Sequence, residues 1–252
     1  MQQSIDINAD LGESTQTRRF EHEDHLFPYL SSCNIACGFH GGDPVFIEAA
    51  IRQALKHRLQ IGAHPSYPDR LNFGRQPMNL PSTELQAVLR YQVSALKGMV
   101  ESLGGQLSYI KPHGALYHTL CQHEAQAQLA VAVFTAIDPN LKIMGLPGSA
   151  LARAAGKAGL YFIREGFADR RYGPEGQLLP RNMPGAVLKD PAKVVEQARQ
   201  ILMESSVTTS AGTRLPLQVD SLCIHGDNPM AVPALKALDH FFAQSGIQKS
   251  SV

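Results

Sequence analysis

Asp6-Ile7-Asn8-Ala9-Asp10 alternates strictly between polar and apolar side chains. Successive side chains of a strand point to opposite faces, so Asp6, Asn8 and Asp10 share one face while Ile7 and Ala9 share the other. In a closed barrel the polar face is the interior, where a strand near the N-terminus has no free edge to leave in water. Five further apolar runs end in ionisable or amide side chains. These are Cys37-Gly38-Phe39-His40, Gly62-Ala63-His64, Lys111-Pro112-His113, Glu165 through Asp169-Arg170, and His225-Gly226-Asp227-Asn228. Each unpaired buried polar group is costly, so convergence on one pocket explains why so much polar chemistry stands at the same end of so many strands.

Seven strand candidates emerge: Ile5–Ala9, Ile35–Phe39, Leu59–Ala63, Leu107–Ile110, Leu141–Leu146, Leu160–Arg164 and Val219–Ile224. Helical spacing falls between them. After Asp43-Pro44, residues Ile47, Ala50, Ile51, Ala54 and Leu55 share one face of a helix running to about His57. Ser82 caps a longer helix that Gly104-Gly105 stops, and amphipathic stretches cover about 123–137, 149–158, 194–205 and 230–245. Asp190-Pro191 and Asn228-Pro229 repeat the Asx-Pro helix opening. Strands alternating with helices imply a mostly parallel sheet with helices outside, either an open doubly wound sheet or a barrel one strand short of eight. The seven-stranded parallel β/α barrel is favoured, because functional-looking residues follow nearly every strand instead of gathering at one switch point. A length of 252 residues suits a single domain of this kind spanning residues 1–252, and no composition shift, repeat or low-complexity tract divides it. Loops after the first, third and sixth strands are long and rich in Gly, Pro, Arg and Asp, as substrate-covering loops often are.

With 23 basic and 22 acidic residues, the net charge of +1 gives no reason to propose nucleic acid or an anionic membrane as partner. A small ligand, anionic or neutral, is allowed. The N-terminal residues lack the basic segment and apolar stretch of a signal peptide, and no window approaches a membrane span, so a cytoplasmic protein is expected. The cysteines Cys33, Cys37, Cys121 and Cys223 lie in or beside apolar runs and read as reduced, mostly buried thiols. Cys33 and Cys37 are separated by three residues rather than two, with no second pair to complete a zinc site.

His40 stands in Gly38-Phe39-His40-Gly41-Gly42-Asp43, where the glycines permit close backbone approach and the Asp43-Pro44 helix start offers amide donors to an anion. Neither a Walker loop nor G-x-G-x-x-G is present, so a self-contained nucleotide site is unsupported. His64 and His113 directly follow strands; a lone histidine there is usually structural, but several at equivalent strand ends point to a site. Asp10, His40 and His64 offer the mixed carboxylate and imidazole set of a catalytic divalent metal, though no H-x3-H or H-E-x-x-H spacing supports it. Without metal, the same groups serve as general acid and base. Lys111 has two open readings, a buried salt bridge to a strand-end carboxylate or a cation on a substrate oxygen. Arg75 and Arg171 read as loop surface, and Arg170 as a candidate ligand clamp.

The blocks Asp6 to Glu13, Asn34 to Pro44, Gly62 to Asp69, Asn72 to Arg75, Lys111 to Tyr117, Glu165 to Arg170 and His225 to Pro229 resemble the signature blocks of the LamB/YcsF family, in the family's order and over nearly the whole chain. Cys33, Gly41 and Gly166 depart from its usual residues, and none removes an ionisable group. The resemblance implies a barrel similar to sugar deacetylases that acts as the A component of an ATP-dependent 5-oxoprolinase, with partner subunits B and C. That enzyme opens the lactam of 5-oxo-L-proline to L-glutamate as ATP becomes ADP and phosphate. It further implies ATP, with Mg2+, as cosubstrate and no tightly bound cofactor. Asp10 and His64 are then assigned to water activation and nitrogen protonation, with Lys111 on the carbonyl oxygen or phosphate. His40, His113, His225 and Asp227 would complete the substrate shell, joined by Asp6, Asn8, Asp169 and Arg170. Two rival expectations remain: a stand-alone metal-dependent deacetylase or amidohydrolase on the same barrel, and a non-catalytic binding subunit.

Overall fold

A computed structural model describes residues 4–252; of the expected single domain, residues 1–3 lie outside the described residues. The strands are β1 (Ser4–Leu11), β2 (Ser32–Ala36), β3 (Gln60–His64), β4 (Leu107–Ile110), β5 (Lys142–Gly145), β6 (Phe162–Phe167), β7 (Ser206–Thr208), β8 (Arg214–Pro216), β9 (Ser221–Cys223) and β10 (Gln248–Lys249). The helices are α1 (Pro44–Lys56), α2 (Ser82–Ser102), α3 (Gly114–Gln122), α4 (Glu124–Ile137), α5 (Ala150–Lys157), α6 (Pro191–Glu204) and α7 (Ala231–Ser245). Strands β1 to β6 pair in sequence, all parallel, and β9 joins β6 back to β1, closing the expected seven-stranded barrel. Closure gives every one of the seven strands two neighbours, so the ring leaves no edge for another chain to extend.

The outward face of β1, with Ile5, Ile7, Ala9 and Leu11, packs into an apolar layer shared with Ile51 of α1, Leu89 of α2 and Phe134 of α4. The inward face carries Asp6, Asn8 and Asp10, all buried, as the alternation requires. Pairing Asn8 with Ser32 and Asp10 with Asn34 sets these side chains beside polar ones of β2. None of the described helices is long and apolar enough to cross a membrane. All four cysteines are free thiols, as expected.

Several elements differ from expectation. The second strand is Ser32–Ala36, not Ile35–Phe39. Asn34 interrupts its apolar run and hides the strand, yet it faces inward and donates to Asn8 and Asp10 at 2.8 Å each. Phe39 and His40 therefore stand in a loop, which Arg70 from the loop after β3 grips through the main-chain oxygens of Gly38 and Gly42, at 2.6 and 2.7 Å. Helix α3 was not expected, because His113-Gly114 has no capping side chain. Ser82 is the first residue of α2 and caps nothing; Pro81 holds the cap position. Asp43 and Asp190 cap α1 and α6 as read, but Asn228-Pro229 forms a turn before α7, with Asn228 Oδ1 accepting the Met230 N–H at 3.0 Å. The β7–β8 hairpin, and β10 alongside the start of β1, are too short for periodicity to reveal.

Candidate functional site

Just past β4, the Lys111 side chain enters the barrel mouth and is 2% exposed. Its ammonium lies 2.7 Å from Glu165 Oε1, 3.0 Å from Asp10 Oδ1, 3.1 Å from Asn8 Oδ1 and 3.2 Å from Cys223 Sγ. Three protons thus meet four acceptors, and the salt bridges read for Lys111 are present. Burial pushes the Asp10 carboxyl up, but His64 and Lys111 together outweigh it and hold the group well below its usual range. Burial works against the Lys111 charge, and the carboxylates around it more than compensate. On Glu165 the balance reverses: burial raises it despite Lys111, and Tyr117 Oη donates to its second oxygen at 2.9 Å. Of the two carboxyls on Lys111, Asp10 is the firmly ionised one.

Beside Asp10 stands a cluster of imidazoles. His64 ends β3 and places Nε2 3.4 Å from Asp10 Oδ1, while its Nδ1–H donates to the Lys111 main-chain oxygen at 2.7 Å. His113 Nδ1 lies 3.0 Å from His64 Nε2. The His40 ring stacks on that of His113, centroids 3.7 Å apart, and its Nε2 lies 3.0 Å from Glu13 Oε1. Burial lowers both His40 and His113 well below the ordinary imidazole value, and the neighbouring rings add to it. Glu13 is pushed up to about 8 by burial and by Asp10. Across the mouth His225 stacks on Phe167, with its Nδ1 2.8 Å from Asp169 Oδ1.

These groups floor a cavity of about 790 Å³ whose outer wall is basic. Arg75 reaches Asp227 Oδ2 at 2.5 Å, and Arg181 Nη1 reaches both Asp227 oxygens at 3.1 Å. Burial, followed by Arg181 and Asp227's partner Arg75 among the nearby charges, brings Arg170 down to about 10. Its Nε is buried without a hydrogen-bond partner. His118 is lowered to about 4 by burial and then by Arg170 and Arg181. The wall therefore carries three guanidiniums against one carboxylate, an arrangement suited to an anion.

Of the residues named from sequence, Asp10, His64, Lys111, His113, Arg170, His225 and Asp227 line this cavity. Asp6, Asn8, His40 and Asp169, expected against the substrate, do not line it; the last three hold groups that do. Asp6 sits deeper in the barrel and accepts from Ser31, Ser32 and Ser221. Asn8 and Asp169 bond to Lys111 and His225, and His40 backs Glu13 and His113. Arg75, read as loop surface, is at the mouth. Sequence reasoning assigned no role to Glu13, Glu165, Tyr117, His118 or Arg181. Glu165 falls on the inward parity of β6, a signal within reach; Arg181 belongs to a long loop with no local pattern.

A sequence model described as the LamB/YcsF family matches residues 5–252. A Methylococcus capsulatus protein named as the A component of 5-oxoprolinase is 44% identical over 247 residues, covering 98% of this chain and 95% of its own. The crystal structure of a lactam utilization protein from Thermus thermophilus superposes with a TM-score of 0.92 at 38% identity, covering 99% of this chain and 100% of that one. A peptidoglycan N-acetylglucosamine deacetylase domain from Eubacterium rectale shares the fold alone, with a TM-score of 0.51 at 9% identity over 99% of this chain and 88% of that one.

Proposed function

The chain belongs to the LamB/YcsF family, and from that membership we propose that it is the ring-opening component of an ATP-dependent 5-oxoprolinase. The observation that carries the reading is the Asp10 carboxylate, kept ionised by Lys111 and set 3.4 Å from His64 at the floor of a basic-walled cavity. A lactam is a poor electrophile. Phosphorylation of its carbonyl oxygen by ATP creates a leaving group and exposes the ring carbon to water. Asp10 takes the water proton as oxygen bonds to that carbon, and the ring C–N bond breaks as His64 delivers a proton to the departing nitrogen. The product of that cleavage is an acyl phosphate of glutamate, and a second water breaks its acyl–oxygen–phosphorus linkage to give glutamate and phosphate. Arg170, with Arg181 beside it, meets the substrate carboxylate or phosphate, and Lys111 acts through Asp10 rather than on the substrate oxygen. With no nucleotide fingerprint in the chain, phosphoryl transfer falls to partner subunits B and C, with Mg2+ accompanying ATP.

Reconstitution tests the reading. Glutamate and phosphate should appear only when 5-oxoproline, ATP and all three subunits are present, and Asp10→Asn should lower turnover by roughly 10²–10⁴-fold. Full turnover after neutralising each of Asp10, His64 and Lys111 would remove the site assignment. Cleavage of amides or esters by this chain without ATP would replace the reaction.

A further inference from the structure

His64 and His113 meet through two nitrogens that both lack a proton in the neutral rings. His64 Nδ1 lies 2.7 Å from the Lys111 main-chain oxygen, and His113 Nε2 lies 2.8 Å from that of Phe73. A carbonyl oxygen only accepts, so each of those nitrogens carries its ring's N–H. His64 Nε2 and His113 Nδ1 are left as lone pairs facing each other at 3.0 Å. Lone pairs that close repel unless a cation lies with them. Glu13 Oε1, 3.6 Å from His113 Nδ1, adds a buried carboxyl short of positive neighbours.

We propose that Glu13 Oε1, His64 Nε2 and His113 Nδ1 form a binding site for a divalent transition-metal ion of the zinc class, open toward the cavity that all three residues line. Zinc at its usual bond lengths separates neighbouring tetrahedral ligand atoms by about 3.3 Å, and the observed separations of 3.0 and 3.6 Å bracket that spacing. Two imidazoles and one carboxylate select such an ion over magnesium or calcium, which prefer oxygen alone. The carbonyl oxygens behind His64 and His113 fix tautomer and ring orientation, the usual arrangement behind metal-bound histidines. His40 lies within 4.8 Å of the others but is not a ligand. Its ring is parallel to His113 within 7°, so an ion in the plane of one ring is out of the plane of the other. Instead its Nε2, 3.0 Å from Glu13 Oε1, steadies the carboxylate. The set thus differs from the Asp10, His40 and His64 suggested by residue type alone: Glu13 and His113 take the places of Asp10 and His40. With an ion bound, His64 and His113 become ligands and His64 no longer carries the proton for the departing nitrogen; Asp10, at the edge of the site, then takes the water proton and hands it on to that nitrogen.

The inference rests on ligand geometry and not on the reaction proposed above, so it is tested by binding to the full chain alone. Protein purified without chelator or polyhistidine tag is assayed for metal by mass spectrometry, then stripped and titrated with Zn2+, Co2+ and Mg2+ by calorimetry. One equivalent of Zn2+ or Co2+ should bind, with Mg2+ weaker by about 100-fold or more. Co2+ should give the visible absorption of a low-coordinate nitrogen and oxygen site. Glu13→Gln and His113→Gln should each weaken Zn2+ binding by at least the roughly 10–100-fold typical of losing an orienting partner, and His40→Phe, which keeps the stacked ring, should cost less than either. Should a variant not fold, the Co2+ spectrum of the unaltered protein decides. No stoichiometric binding, or unchanged affinity in folded His113→Gln, would overturn the proposal and leave a shared proton between the imidazoles. Such a failure would not touch the reconstitution assay, which reads glutamate and phosphate.

Discussion

Lys111 brings one positive charge into a space holding Asp10, Glu165 and the Asn8 amide oxygen. Removing one partner of a buried ion pair strands the other, so Lys111→Met should destabilise the fold by about 3–5 kcal/mol, read from the urea midpoint. Asp10→Asn keeps an oxygen for Lys111 and leaves Glu165 opposite it, so it should cost less stability than Lys111→Met while lowering turnover by roughly 10²–10⁴-fold. If the two variants are equally destabilised, the charge balance drawn around Lys111 is wrong. At this scale the polar stripe of β1 and the strand-end histidines were legible, because a period of two and abrupt polar endings are local signals. Glu13 was not, because it lies beyond the end of β1 and acquires its meaning from His40 and His113 in distant loops.

Strand β3 depends on having no side chain at Gly62, where a methyl group would overlap the Tyr109 ring inside the barrel. Tyr109 cannot retreat, since its hydroxyl donates to Asn34 Oδ1 at 2.7 Å and its ring is fully buried. Gly62→Ala should therefore cost about 1–3 kcal/mol from overpacking, measured by thermal or urea unfolding. At α1 the Asp43 side chain accepts the N–H groups of Val45 and Phe46 at 3.1 and 3.2 Å. Asp43→Ala should lose about 0.5–2 kcal/mol, and Asp43→Asn much less, because the amide still accepts. Long amphipathic helices with Asx-Pro openings were readable for the same reason that the cap works, a side-chain acceptor followed by a fixed φ. Strand β2 was shifted by three residues in the reading, since its inward Asn34 is stable only through Asn8, Asp10 and Tyr109, none of which is local.

Taken together, the buried ionisable groups give the molecule a predictable response to pH. In the metal-free protein, folded Glu13 and Glu23 hold their protons up to about pH 8, whereas unfolded glutamates release theirs near about pH 4.3. In that interval the native state binds more protons, so stability falls as pH rises. The histidines act oppositely. His40, His113, His118 and His225 are all lowered by burial, to about 4 for His118, so below about pH 6.5 the unfolded chain takes up protons that the folded one refuses and stability falls as pH falls. Asp10, Asp169 and Asp227, held low in the fold, add a loss as pH falls into the ordinary carboxyl range. Above about pH 6.5 only the glutamate slope remains of these, so the melting temperature should decline from there to pH 8, and Glu23→Gln should flatten that decline. A melting temperature that rises across this interval would contradict the burial of both glutamates.

Alternation in β1, the recurrence of strand and helix periods, and polar residues at successive strand ends determined by themselves that this is a parallel β/α fold with polar residues at the carboxyl ends of its strands, and favoured a barrel over an open sheet. Those features are local, set by side-chain direction along each element. Only the tertiary structure decided which polar groups face the cavity and which stand behind it, that Lys111 is spent on Asp10 and Glu165, and that Glu13 completes the imidazole cluster. Such assignments depend on distances between side chains far apart in the chain, and closure of the ring brings them together.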